Sequence, residues 1–182
     1  IFDGTDAMML SGETSIGKHP VQAVVTMDKV AREAERKLPY GSILTNRGNW
    51  IEQQTDELIS YSACYTAHSL GAAAIVAYTQ SGSTPGRLSK YRPRVPVLAL
   101  TPCEDVCGKL MLYWGVHPLL IDSPSTVDEL FSRADRLSRE VRVAKNGDLI
   151  IVTAGIPVGV AGSTNMLKVE RIGEVPKPRQ VC

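Results

Sequence analysis

Histidine, cysteine and tryptophan are scarce in this chain, and each scarcity argues against a class of site. Its three histidines and four cysteines are scattered over 182 residues, without the paired spacings of a zinc site or a disulfide framework. Cys103 and Cys107 lie four residues apart, but no second pair of ligands stands near them. We interpret these two as buried small apolar residues and predict no metal site. So few cysteines fit a reducing, cytoplasmic location.

Two further features are missing, an excess of one charge and a long apolar run. Lys and Arg number 20 against 19 Asp and Glu, so no overall field would attract nucleic acid or an acidic membrane. No apolar run approaches the roughly 18 residues that span a bilayer, and the aromatic residues do not form a stacking row among basic ones. We therefore predict neither a nucleic-acid nor a membrane partner.

What the sequence does contain is a regular alternation of strand and helix patterns from residue 50 to residue 171. Short apolar runs separated by amphipathic helices predict an α/β fold, with a mostly parallel five-stranded sheet covered on both faces as a three-layer αβα sandwich. The last strand follows a loop too short for a helical crossover, which favours an antiparallel fifth strand. The predicted strands are 73–79, 95–100, 117–121, 148–153 and 166–171.

The first 49 residues follow another pattern. A short apolar strand over 7–10 leads into a polar loop, a helix runs from Pro20 to about Lys37, and glycine, proline and asparagine then mark 38–49 as a connector. The run 12–19 nearly matches a phosphate-binding P-loop. However, His19 occupies the place of the magnesium-binding hydroxyl, and Pro20 removes a backbone N–H from the helix start.

The strongest candidate for chemistry is the loop Thr79-Gln-Ser-Gly-Ser-Thr84, between a predicted strand and a predicted helix. Hydroxyls, backbone N–H groups and a helix N-terminus converge there, which favours a site for a phosphate group. Arg87, Lys90 and Arg92 follow within about two turns, and we expect them to add positive charge. The alternative from the residues alone is a tight turn whose hydroxyls only cap the helix.

Several motifs in order resemble pyruvate kinase over nearly the whole chain. They are DGTDAMMLSGET with GKHP (residues 3–14 and 17–20), TQSGST (79–84), SKYRP (89–93), YWGV (113–116), KNGD (145–148) and TAGIPVG (153–159). The resemblance implies a remnant of the catalytic (β/α)₈ barrel at 1–37 and the connector at 38–49. It also implies a C-terminal allosteric domain at 50–172 and a tail at 173–182. It further implies a tetrameric parent enzyme that transfers phosphate from phosphoenolpyruvate to ADP with Mg²⁺ and K⁺.

The resemblance also assigns residues. Thr79, Ser81, Gly82, Ser83 and Thr84 match the loop that grips a sugar-phosphate effector, and Gly155, Gly159 and Gly162 match the loop that closes over the sugar. Fructose-bisphosphate-activated relatives hold the second phosphate with an arginine near the start of the long helix. Here 125–132 contains acids and no arginine, so a monophosphate effector is favoured.

Ser11 and Glu13 match residues of the catalytic loop that are proposed to assist proton delivery. The family's catalytic lysine, substrate-binding arginine and metal-binding acids lie upstream of this stretch and are absent here. We therefore expect Ser11 and Glu13 to be non-functional alone, and this chain to bind effector without catalysing and to hold no cofactor.

Two other interpretations remain open from the residues. One is a small P-loop-like ATPase built on Gly12–Lys18, and the other is a free-standing sugar-phosphate isomerase or binding domain built on residues 50–171. The second leaves the motif in residues 1–20 unexplained.

Overall fold

A five-stranded sheet forms the centre of the computed structural model, which describes residues 1–49, 51–158 and 164–174. The strand order is β3-β2-β1-β4-β5, with the first four strands parallel and β5 antiparallel to β4. This confirms the predicted sheet, including its one antiparallel strand. The strands are β1 (Ala74–Tyr78), β2 (Val97–Thr101), β3 (Val116–Leu120), β4 (Leu149–Gly155) and β5 (Thr164–Arg171).

Helices cover both faces of this sheet and so complete the predicted three layers. The helices are α1 (Gly12–Ser15), α2 (Pro20–Lys37), α3 (Tyr40–Gly48), α4 (Thr55–Leu70), α5 (Ser83–Lys90), α6 (Glu104–Leu110) and α7 (Val127–Glu140). One apolar cluster joins α4, α5 and α6 to one face of the sheet, and a second joins α7 to the other face. Among the described residues, no helix combines the length and apolar character needed to cross a membrane.

The strands of the centre have apolar side chains on both faces, as expected for a covered parallel sheet. Ile151 points into the cluster under α4 and α5, while its neighbours Ile150 and Val152 point into the cluster under α7. All three are fully buried. Alternation along a single strand therefore supplies both halves of the core.

The N-terminal part departs from the prediction in two places. Residues 7–10 form no strand, because a strand needs a hydrogen-bonded neighbour and none of the described strands pairs with this segment. Helix α2 has the predicted bounds, but none of its residues is buried. The predicted connector 38–49 contains α3, which forms in spite of its two glycines and packs through Leu44.

The buried face of α4 was also predicted wrongly in part. The spacing of apolar residues placed Ile51, Leu58, Ser62, Ala63, Thr66, Ala67 and Leu70 inward. In the structure Ala63 and Ala67 are buried, but Leu58 and Leu70 are about half exposed. The other buried residues of α4 are Glu57, Ser60 and Cys64. The pattern missed this rotation of the helix because it treated a carboxylate as an outward residue.

The sequence predicts a cap in Thr101–Glu104 for α6 and one in Ser125–Asp128 for α7, and the two predictions have different outcomes. Helix α7 is capped one residue later than that pattern, since Thr126 Oγ1 accepts from Glu129 N (3.1 Å) and Glu129 Oε2 accepts from Ser125 N (2.7 Å). Thr101 does not cap α6: it is the last residue of β2, and its hydroxyl accepts from Cys103 N at 3.2 Å. Cys103 and Cys107 are partly exposed, which corrects their prediction as buried residues; Cys64 is buried.

Helix α5 begins at a glycine that the packing requires. Gly82 is the N-cap residue and has φ of +85°, in the left-handed region that favours glycine. A Cβ placed there would lie 3.3 Å from both Val106 and Leu110 of α6. The turn therefore needs glycine for its backbone angle, and α6 packs directly against it.

We expect Gly82→Ala to lower the free energy of unfolding by roughly 1–2 kcal/mol, because an L-residue is strained in this conformation and α6 must move. Gly108→Ala is the matched control, since Gly108 lies within α6 and a Cβ there meets nothing within 4 Å. It should stabilise the chain by roughly 0.5–1 kcal/mol. Thermal and urea unfolding measure both changes; equal signs would contradict the assigned turn.

A buried carboxylate joins α4 to α5. Glu57 is 5% exposed and receives hydrogen bonds from Lys90 Nζ (2.7 Å) and from the Tyr91 hydroxyl, with Arg87 Nε at 3.4 Å. Burial raises the pKa of Glu57, but the hydrogen bonds from Lys90 and Tyr91 and the charges of Lys90 and Arg87 together outweigh it. The pKa of Glu57 is therefore held below its ordinary value.

Because the pKa of Glu57 is lower in the folded chain than in the unfolded chain, its stabilisation is present above the unfolded value and is lost as pH falls through the folded value. The unfolded value is about 4.3. We expect the free energy of unfolding to fall below that pH, and to fall less in Glu57→Gln, which should be destabilised by roughly 1–3 kcal/mol at pH 7. Urea unfolding at several pH values measures this, with exposed Glu52→Gln as control. Parallel pH profiles for wild type and Glu57→Gln would refute it.

Candidate anion-binding site

The predicted loop 79–84 lies at the carboxyl end of β1, in the middle of the sheet. From the carboxyl end of β1 the chain runs through α5 to β2 on one side of it, whereas from the carboxyl end of β4 it turns back as β5 on the opposite side. The connections therefore diverge between β1 and β4. In open parallel sheets, ligands bind in the crevice outside the carboxyl ends of the strands at such a point.

Thr79 holds the loop in shape. Its backbone N–H donates to Leu100 O of β2 at 2.9 Å, and its side-chain hydroxyl accepts from Gly82 N at 2.9 Å. Thr79 is buried, so this hydroxyl faces the protein. Thr79 thus shapes the turn, and its predicted contact with a ligand remains a prediction.

The start of α5 offers hydrogen-bond donors. Ser83 and Thr84 open the helix, so their N–H groups have no carbonyl one turn earlier in the helix to bind. Pro85 has no N–H, and Gly86 N already donates to Gly82 O at 3.2 Å. The hydroxyls of exposed Ser81 and partly buried Ser83 lie 3.2 Å apart beside these amides. Two hydroxyls and the positive end of a helix thus share one small surface.

Thr84 connects this loop to a second one. Its buried hydroxyl is hydrogen-bonded to the hydroxyl of Thr164, the first residue of β5. Thr164 pairs with Gly155 across the β4–β5 ladder. The structure therefore places Gly155 beside the Thr84–Thr164 contact, and its role in binding a sugar remains a prediction. Gly159 and Gly162 lie outside the described residues.

Two of the residues that join the two loops, Thr164 and Asn165, were not predicted. Asn165 accepts from Ile156 N at 2.9 Å and donates to Ile156 O at 2.7 Å, which closes the base of the β4–β5 connection beside the Thr84–Thr164 bond. The sequence contained a signal, because Thr164 and Asn165 are polar residues at the start of a strand directly after the glycine-rich stretch.

The three cations that follow the loop do not face it, which corrects the prediction that they would add charge there. Arg87 Nη2 lies 2.7 Å from Asp56 Oδ2, and Lys90 binds Glu57. Arg92 Nη1 lies 2.5 Å from Asp6 Oδ1. All three compensate carboxylates of other segments, so the donors at the loop are neutral groups.

Ser11 and Glu13 lie together in a separate part of the structure, on the exposed turn around α1. Ser11 N donates to Glu13 Oε2 at 3.0 Å. Backbone N–H groups of Glu13 and Ser11 lower the pKa of the Glu13 carboxyl. A carboxylate with a lowered pKa is a weak proton acceptor at neutral pH, so this arrangement does not favour proton transfer by Glu13 in this chain.

The P-loop-like stretch 12–19 lacks the context that such a loop needs. A P-loop follows a strand, but residues 7–10 are not a strand here. Gly17 forms a tight turn in which a Cβ would lie 2.2 Å from Glu13 O. Within residues 1–49, 51–158 and 164–174, no group of three or more His, Cys, Asp or Glu side chains could hold a metal ion.

Comparisons with known proteins agree with this architecture. Residues 57–170 match the family model of the pyruvate kinase alpha/beta domain. The chain is 47% identical over 170 residues to a pyruvate kinase of Clostridium acetobutylicum, covering 93% of this chain and 36% of that protein. It is 42% identical over 175 residues to a pyruvate kinase of Sporosarcina psychrophila, covering 96% of this chain and 30% of that protein.

A solved structure shows the same likeness in three dimensions. The crystal structure of a pyruvate kinase from Cryptosporidium parvum superposes with a TM-score of 0.85 at 30% sequence identity, over 93% of this chain and 34% of that one. The chain thus spans about a third of the length of the relatives it matches. On the family match, the sequence identity and the shared fold, the chain belongs to the pyruvate kinase family and contains its alpha/beta domain.

Proposed function

We propose that this chain is the C-terminal regulatory part of a pyruvate kinase and that its loop 79–84 binds the phosphate group of a sugar-phosphate effector. The Thr84–Thr164 hydrogen bond carries this proposal, because it fastens the donor-rich start of α5 to the base of the β4–β5 connection. A ligand seated on Ser81 and Ser83 would lie near the described base of that connection, at Gly155 and Ile156.

The donors suit a phosphate because they are backbone and hydroxyl groups at a helix N-terminus, a common anion-binding arrangement. Gly82 allows the backbone to come close to the ligand, and Pro85 fixes the first turn. Since the nearby cations are paired elsewhere, we expect moderate affinity, with Kd in the micromolar to millimolar range, roughly 4–8 kcal/mol.

A monophosphate is favoured over a bisphosphate. Arg133 is the first arginine of α7, and its guanidinium is bound to Glu129 and to Asp122 O. No arginine precedes it on that helix. A second phosphate would therefore have to displace an existing ion pair or find another cation.

The parent enzyme would catalyse phosphoryl transfer from phosphoenolpyruvate to ADP with Mg²⁺ and K⁺. The described residues contain no group of three or more His, Cys, Asp or Glu side chains of the kind that would hold Mg²⁺. Ser11 and Glu13 would contribute only within the assembled active site. We propose that the chain alone is not catalytic.

The parent would be a cytoplasmic homotetramer. The outer face of α4 supports subunit contact, because Leu58, Tyr65 and Leu70 are each about half exposed on one helix. The free thiols of Cys64, Cys103 and Cys107 fit a reducing compartment.

Ser81→Ala combined with Ser83→Ala should weaken binding of glucose 6-phosphate or ribose 5-phosphate by about 1–3 kcal/mol, because two donors to a charged group are lost. Isothermal titration calorimetry on the chain measures this. Ser132→Ala is the matched control, since Ser132 is an exposed serine on α7 whose hydroxyl donates within the helix. A double variant that binds as tightly as wild type would refute the site.

The same titrations compare fructose 1,6-bisphosphate with the monophosphates. We expect the bisphosphate to gain less than about tenfold, or 1.4 kcal/mol. A preference above about a hundredfold, some 2.7 kcal/mol, would show that another cation binds the second phosphate.

The chain should show background rates in a coupled assay of pyruvate formation at any effector concentration, because the described residues include no group of three or more His, Cys, Asp or Glu side chains that could hold Mg²⁺. Glu13→Ala is the informative comparison. A clear turnover that Glu13→Ala abolishes would show that this chain is catalytic and that the proposed division of roles is wrong.

A further inference from the structure

Arg92 lies two residues after the end of α5 and is a buried arginine with an unusual backbone conformation. It is 5% exposed and has φ of +50°, which residues with a side chain rarely adopt. Such a conformation is strained and persists where contacts hold it. Arg92 Nη1 donates to Ser89 O at 3.1 Å and to Ser89 Oγ at 3.2 Å, so the guanidinium is fixed to the end of α5.

The same guanidinium binds the N-terminal segment. Nη1 lies 2.5 Å from Asp6 Oδ1, and Nη2 donates to Gly4 O. Trp114 N donates to the same Asp6 oxygen at 3.4 Å. These contacts join residues that are more than 80 positions apart in the sequence.

An aromatic ring completes the cluster. The Arg92 guanidinium lies 5.2 Å from the ring centroid of Trp114, whose Nε1 donates to Glu35 Oε1 of α2 at 3.0 Å. Ser89 Oγ donates to Trp114 O at 2.7 Å. We call Arg92, Asp6, Trp114 and Glu35 the Arg92 cluster.

The negative charge of Asp6 compensates positive charge near the end of α5. Arg47 Nη1 donates to Lys90 O, which brings a second guanidinium to the end of α5. Burial and the nearby charge of Arg92 lower the pKa of Arg47, while Asp6 acts in the opposite direction. The Asp6 carboxylate therefore binds Arg92 directly and partly offsets the charge of Arg47.

Helix α5 connects this cluster to the loop 79–84. Its eight residues span about 12 Å, with Gly82 and the anion donors at one end and Arg92 at the other. The helix is closely packed along its length, because four of its residues are buried: Thr84, Pro85, Leu88 and Ser89. A displacement of one end of α5 should therefore move the other end as well. Asp6 in turn lies only five residues before Ser11.

We propose that Arg92 is a positioning residue that couples the loop 79–84 to residues 4–13 through α5 and Asp6. Occupation of the loop fixes the start of α5, the helix fixes Arg92, and Arg92 fixes the segment that leads to Ser11 and Glu13. The direction of this coupling rests on the proposed function of the loop; the contacts at Arg92 do not.

The test uses the ¹⁵N-labelled chain and inorganic phosphate as the probe, with backbone amide chemical shifts as the readout. In the wild type, phosphate should shift the amides of 81–86 and those of 4–13 with one common midpoint. In Asp6→Ala, phosphate should shift only 81–86. Arg92→Lys keeps the charge but loses the forked contacts, and it should behave like Asp6→Ala. Exposed Asp3→Ala and Arg94→Lys are the matched controls and should keep both responses.

A second arm needs no ligand. Gly82→Ala disturbs the start of α5 and should shift the amides of 4–13 in the wild-type background but not in Asp6→Ala. If phosphate leaves 81–86 unshifted in the wild type, the proposed function of the loop fails, and the Gly82→Ala arm alone decides the coupling. A response of 4–13 that survives in Asp6→Ala overturns the proposal, and so does a wild-type response that is missing from 4–13 in either arm in which the amides of 81–86 shift.

Discussion

β1 is hydrogen-bonded on both sides, to β2 and to β4, and none of its residues is more than 5% exposed. This pairing sets the position of the rest of the domain. The neighbours of β1 fix which connections cross to which face, and its apolar side chains reach both halves of the core. Because the strand is short and completely covered, its carboxyl end is held rigidly, and the loop 79–84 starts from a fixed point.

The candidate site begins at the rigid carboxyl end of β1 and contains few charged groups. Thr79 shapes the turn and Thr84 binds Thr164, so the two threonines organise the loop while the two serines face outward. The cations nearby compensate Asp56, Glu57 and Asp6 instead. Recognition by neutral donors depends on geometry more than on charge. Such a site gains from a scaffold that keeps its amides in place before the ligand arrives.

The sequence was sufficient for the strands, their order of appearance and the antiparallel end, because apolar runs and helix periods are local signals. Local signals failed where a side chain's partner lies far along the chain. Glu57 is buried because Lys90 and Tyr91 meet it, and Arg87 turns away from the loop because Asp56 attracts it. The strand expected at 7–10 needs a neighbour that the described residues do not provide. The family motifs identified the loops, but only the fold showed that Thr84 and Thr164 join them.

Helix α2 has a practical consequence for handling the protein. Its 18 residues include no buried one, and Val21, Val24, Val25 and Val30 are each about half exposed or more. An apolar helix surface of this kind attracts other apolar surfaces, including those of identical molecules. The chain should therefore be more prone to aggregate at the concentrations used for spectroscopy than its balanced charge and ordinary composition suggest. Mild detergent or polar substitutions on that surface would be the first remedy in a preparation.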